Sequence, residues 1–116
     1  MIPSGVEVFV ALEPIDMRYS FDRLAGLAKE PVGYDARGGA LFVFFGRRRD
    51  ALKVLFFDGS GMCIFYKRLD KGTFQLPKPA LETDRHVEVD DATLEALLDG
   101  VDVTEELSPR ARPKTH

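Results

Sequence analysis

The chain has a single cysteine, Cys63, among 116 residues, so no intramolecular disulfide can form. That excludes a disulfide-stapled scaffold and sets the expectation of a reducing, cytoplasmic setting. Long hydrophobic runs are also missing. The longest are strand-sized, far short of the roughly 20 residues that cross a bilayer, so no membrane partner is expected. Met1–Glu7 lacks both a basic start and an apolar stretch, and is not expected to act as a signal peptide. The two histidines, His86 and His116, are too isolated for a metal site, which normally gathers three or four ligands. No cofactor and no metal are expected. Cys63 has no histidine near it in sequence and is a poor nucleophile candidate; within its apolar strand it reads as a buried small hydrophobe. Gly59 and Gly61 belong to a turn with no helix after it, which is not a phosphate loop. No catalytic residue is assigned, and there is no internal repeat.

What is present is concentrated between Ala40 and Phe74. Three apolar runs rich in Phe, Val and Ile are separated by Arg47-Arg48-Arg49-Asp50 and by Asp58-Gly59-Ser60-Gly61. Charge is unevenly spread although the net is only −3. Residues 37–80 carry nine basic and three acidic groups, and residues 81–106 carry one basic and ten acidic. The middle is therefore basic and the segment behind it acidic.

Periodicity gives the elements. Val6–Leu12 alternates as a first strand. A helix is expected from about Met17 to Lys29, with Asp16 as its N-cap, a buried stripe of Met17, Phe21, Leu24, Leu27 and Ala28, and Pro31 at its end. A turn-rich connector spans Tyr34–Gly39. Strands are expected at about 40–46, 51–58 and 62–69, joined by hairpins, with a short one at Thr73–Leu76 and another at His86–Val89. Asp90 or Asp91 caps a short helix over Ala92–Leu98, and Gly100 stops it. The fold class is α+β: an antiparallel sheet of four to five strands around a three-stranded meander, with one main helix and a short C-terminal one. The strands are apolar on both faces, so the sheet is covered on both sides or covered on one and partnered on the other. Residues 1–107 are expected to make a single domain, with 80–107 as an acidic extension and 108–116 as a disordered tail.

Antiparallel strands bring the two basic clusters to one rim. Arg47, Arg48, Arg49, Lys53, Lys67, Arg68 and Lys71 fall there, with Tyr66 and Phe74 nearby, and Asp58–Gly61 falls on the other rim. Such a patch suits phosphates and stacked bases. The alternative is that charged hairpin loops are solvated and guard the sheet edges. Asp16, Arg18 and Asp22 form a polar cluster whose plainer reading is capping and surface charge. A nuclease built on Asp16, Asp22 and Asp58 is disfavoured, because these residues lie in caps and turns.

Two sets of residues carry a family resemblance. One is Pro14-Ile15-Asp16-Met17-Arg18 with Phe21-Asp22 and Leu24-Ala25. The other is Leu41-Phe42-Val43-Phe44 with Gly46-Arg47-Arg48, then Lys53-Val54-Leu55, Asp58-Gly59-Ser60-Gly61 and Phe65-Tyr66-Lys67-Arg68-Leu69. In order and spacing they resemble the small TnpB accessory proteins of the IS66 family of bacterial insertion sequences, which are distinct from the RNA-guided nucleases sharing that name. The resemblance runs from Met1 to about Pro77 and continues weakly through Leu97–Asp102. It implies a bacterial cytoplasmic accessory to transposition with no established enzymatic activity and no agreed catalytic residues. Contact with element DNA, with the transposase, or with both is the implied role. The rival is a protein–protein adaptor or oligomerisation module that does not touch DNA. Phe56 and Phe57 stand where relatives commonly have Trp, and Arg49 adds an arginine where relatives often have a smaller residue.

Overall fold

The computed structural model describes residues 6–32 and 36–100. In chain order the elements are β1 (Val8–Ala11), α1 (Phe21–Val32), a 3-10 turn (Ala36–Gly38), β2 (Leu41–Phe45), β3 (Ala51–Phe57), β4 (Met62–Arg68), β5 (His86–Val89) and α2 (Asp91–Leu98). They form one five-stranded sheet in the order β4-β3-β2-β1-β5. The expected tail at 108–116, the end of the acidic extension at 101–107 and residues 34–35 of the connector lie outside the described residues.

The α+β class holds, with one correction. The sheet is mixed, because β1 pairs in parallel with β2, Phe9 opposite Phe42. A parallel pair needs a crossover of a dozen or more residues, and α1 supplies it. The other pairings are antiparallel. The β2–β3–β4 meander has Val43 opposite Val54 and Val54 opposite Phe65, and β5 returns beside β1.

Both faces of the sheet are covered, which is why its strands alternate poorly. Phe9, Phe42, Phe44 and Leu55 face α1, packed with Leu24 and Ala28. Val8, Val10, Val43, Phe45, Leu52 and Val54 face the other way, against Leu94 and Leu97 of α2 and against Phe74. Full burial of a side chain of this size stabilises by roughly 1.5–3 kcal/mol. No strand forms at Thr73–Leu76. The segment after β4 is instead tied to the β2–β3 hairpin by two backbone bonds. The Phe74 amide donates to the Arg49 carbonyl at 2.6 Å and the Leu69 amide to that of Asp50 at 2.8 Å. The Phe74 ring then packs against Phe45, centroids 5.8 Å apart.

α1 starts four residues later than periodicity suggests, and the reason is chemical. Lys53 on β3 donates its ammonium to the carbonyls of Met17 and Tyr19, both at 2.7 Å. Those carbonyls would otherwise accept the first helical hydrogen bonds. The helix instead begins behind them, with the Leu24 amide on the Ser20 carbonyl. Asp16 therefore does not cap α1; it holds a tight turn, accepting from the Arg18 amide at 2.9 Å. Phe21, expected on the buried stripe, is 44% exposed. At its other end the helix passes through Pro31 to Val32. α2 behaves as expected: Asp90 caps it by accepting from the Thr93 amide at 2.8 Å. Gly100 closes it with φ +80°, a backbone conformation that glycine adopts without steric cost.

Candidate nucleic-acid interface

Because β1 and β2 run parallel, their C-terminal ends leave the sheet on one rim. The meander brings the start of β3 and the end of β4 to that rim, and pairing of Ala11 with His86 brings the start of β5 there too. A cleft of about 920 Å³ opens at this rim, between α1 and the sheet. Its floor is small-residue backbone: Ala11, Gly46 and Ala51. Gly46 has no room for a side chain, since a Cβ there would stand 2.8 Å from Cγ of Met17. The loop after β1 forms one wall. It is tied down by the Ile15 amide on the Phe45 carbonyl at 2.8 Å and by the Lys53 bonds to Met17 and Tyr19.

Five arginines and three carboxylates line the cleft: Arg23, Arg47, Arg48, Arg68 and Arg85 with Glu13, Asp16 and Asp50. Two of the acids are engaged. Arg85 pairs with Glu13 at 3.2 Å, and Asp16 takes a two-pronged bond from Arg18, closest at 2.7 Å. The Arg23 guanidinium lies over the Tyr19 ring, 4.9 Å from its centroid. Arg68 donates to the Tyr66 hydroxyl at 3.2 Å. Among the described residues, Arg47, Arg48 and Arg68 have no carboxylate within salt-bridge distance. The arrangement is a concave, arginine-rich surface.

The expected rim residues divide by strand alternation. Arg47, Arg48 and Arg68 line the cleft. Arg49 is exposed beside it, at φ +60° in the hairpin. Lys53 is only 8% exposed and serves the Met17–Tyr19 turn, with Tyr66 alongside, its ring centroid 5.2 Å from the ammonium. Lys67 points to the opposite face, where it donates to the Leu98 carbonyl at 2.8 Å and complements the negative end of α2. Lys71 is exposed in the turn after β4. Sequence reasoning missed Arg23 and Arg85. The signal that would have found them is the parallel β1–β2 pair, which carries α1 over this rim.

Asp58 lies on the far rim, as expected from the strand directions, and does not meet Asp16 or Asp22. Its carboxylate closes the β3–β4 turn by accepting from the Ser60 amide and hydroxyl and the Gly61 amide, each at 2.9 Å. The Ser60 amide foremost, then these other bonds, lowers its pKa from 3.8 to about 2. Arg18 lowers that of Asp16 to about 2, chiefly through its side-chain hydrogen bond. Cys63, half-buried rather than fully buried on the edge strand, has its thiol pKa raised, first by desolvation and then by Asp58. A carboxylate depressed in the folded state stabilises above its unfolded pKa, and that contribution is lost as pH falls through the folded one. Melting temperature is therefore expected to drop between pH 3.8 and about 2. Asp58→Asn should flatten that drop in a pH series; an unchanged profile would show that the turn is not held by the charge.

The family model described as IS66 Orf2 like protein matches residues 6–107. The chain belongs to this family. IS66 Orf2-like membership points to an accessory protein of transposition. The chain is 40% identical over 104 residues to an uncharacterized protein of Sinorhizobium fredii, y4hO, covering 88% of each chain. A second uncharacterized protein of that organism, y4jC, is 33% identical over 100 residues, covering 86% of this chain and 83% of the relative. No solved structure matches the chain. No helix of the described residues is long and apolar enough to cross a membrane.

Proposed function

We propose that this chain is a non-enzymatic accessory factor of transposition, acting in the bacterial cytoplasm and contacting DNA through the arginine side of the cleft. One observation carries the reading. Residues from four separate segments converge on a single concavity, and Arg47, Arg48 and Arg68 there have no carboxylate within salt-bridge distance among the described residues. Guanidinium groups in that state are suited to phosphate oxygens, which they bind in a planar, two-pronged fashion. Family membership supplies the context of a mobile element. Lys53 and Lys67 take positioning roles in this reading, because their ammonium groups already serve backbone carbonyls.

A titration with labelled DNA from the ends of the element tests it. Each neutralised phosphate releases counterions, so binding should weaken steeply as salt rises, with a slope near −0.9 per phosphate contact, and about three such contacts are expected. Salt-independent binding would remove the reading.

A second reading, a protein–protein adaptor, rests on β4. It is an edge strand of seven residues with Phe65 36% and Tyr66 49% exposed. Unpaired edges accept a further strand from another chain. Co-purification with the transposase in the absence of DNA would favour it, and a monomer that ignores the transposase would exclude it.

A further inference from the structure

The form of the cleft says more about its ligand than the charge around it does. We infer that it is a single-strand site, which takes an unpaired stretch of DNA with a base laid on the floor and the neighbouring phosphates on the arginines. The inference rests on the DNA-contact reading above.

Three features point this way. First, the cationic groups reach the cleft from separate elements. Arg23 comes from α1 and Arg68 from the end of β4, with the Ala11, Gly46 and Ala51 floor between them. A duplex keeps its bases inside the phosphate cylinder, so it would meet the rim and leave the floor empty. An unpaired strand has bases free to enter. Second, the open cleft of about 920 Å³ falls within the size range of sites that hold organic ligands, and Ile15, Leu27 and Phe44 are among the residues lining it. Small residues at three converging chain segments keep it open. Third, a stacking surface is in place. The Arg23 guanidinium lies over the Tyr19 ring, 4.9 Å from its centroid, among the residues lining the cleft, and a planar guanidinium or phenol ring accepts any base without regard to sequence. Tyr66, half exposed and bonded to Arg68, extends that surface along β4.

The test is fluorescence anisotropy on the full chain with one oligonucleotide of about 12 nucleotides, presented single-stranded and then annealed to its complement. The single strand should bind about tenfold more tightly than the duplex. Ala11→Leu, which fills the floor and leaves every arginine in place, should weaken single-strand binding about tenfold and leave duplex binding unchanged. Arg23 is exposed on α1, so Arg23→Ala carries little risk to folding and should weaken the single strand in the same direction. Duplex binding as tight as single-strand binding overturns the inference and leaves the broader reading standing. So does single-strand affinity that neither variant changes. No binding of either form overturns both.

Discussion

Lys53→Met will lower the unfolding free energy by about 2–4 kcal/mol, and on the proposed function it will also weaken DNA binding although Lys53 is not offered to a ligand. The methionine keeps the length and the packing of the stem on β3. What it removes is a charged donor for two part-buried carbonyls, Met17 and Tyr19, both at 2.7 Å. Hydrogen bonds to a charged group contribute about 1.5–3 kcal/mol, and an acceptor left unpaired costs its desolvation. The cation–π contact with Tyr66 goes with it. The loop from Glu13 to Ser20 is a wall of the cleft, so releasing it blurs the site. Lys67→Met offers a comparison. It also loses a single-donor contact to a carbonyl, at the C-terminus of α2. There the expected cost is only about 0.3–1 kcal/mol. Urea unfolding of both variants checks the contrast; equal losses would mean that the Lys53 bonds do not organise the loop.

Phe74→Ala will be more damaging still, at about 3–5 kcal/mol. The surprise is where this residue sits. It belongs to an irregular segment, yet it is only 1% exposed and packs between Phe45 and α2's side of the sheet. Without its ring the face of the sheet that packs on α2 loses a large filler, although the backbone amide of residue 74 can still donate to the Arg49 carbonyl. A loss below about 1 kcal/mol in the same denaturation experiment would show that residues 69–79 only drape over the sheet.

The parts of the fold visible in the sequence were those set by local chemistry. Phe, Val and Ile runs bounded by Arg47–Asp50 and Asp58–Gly61 mark β2, β3 and β4 to within a residue or two, because turn residues tolerate what strands do not. Asp90, three residues before Thr93, marks the start of α2 in the same way. The parts that stayed hidden depend on contacts distant in sequence. Nothing local to Val8–Ala11 says that it will lie between β2 and β5, so the parallel pair was missed. The start of α1 was misplaced because its competitor, Lys53, lies 34 residues beyond Tyr19.

The basic cluster shows the same limit in another form. Lys67 and Arg68 are adjacent in sequence and read as one patch. A strand sends successive side chains to opposite faces, so one serves α2 and the other the cleft. Arg23 and Arg85 read as scattered surface charge until the sheet brings them to the same rim.

If DNA is bound as proposed, a place in the lining of the cleft, and not basic charge as such, makes the contact. One comparison tests it most directly: Arg47→Ala with Arg48→Ala against Lys71→Ala with Lys78→Ala, each removing the same charge from exposed positions. Titrated with the same labelled DNA at the same salt, the arginine pair should lose about tenfold or more in affinity and shed about two phosphate contacts from the salt slope. The lysine pair should bind nearly as the unaltered protein does. Equal losses in the two variants would contradict the claim and reduce the cleft to one part of a diffuse basic surface.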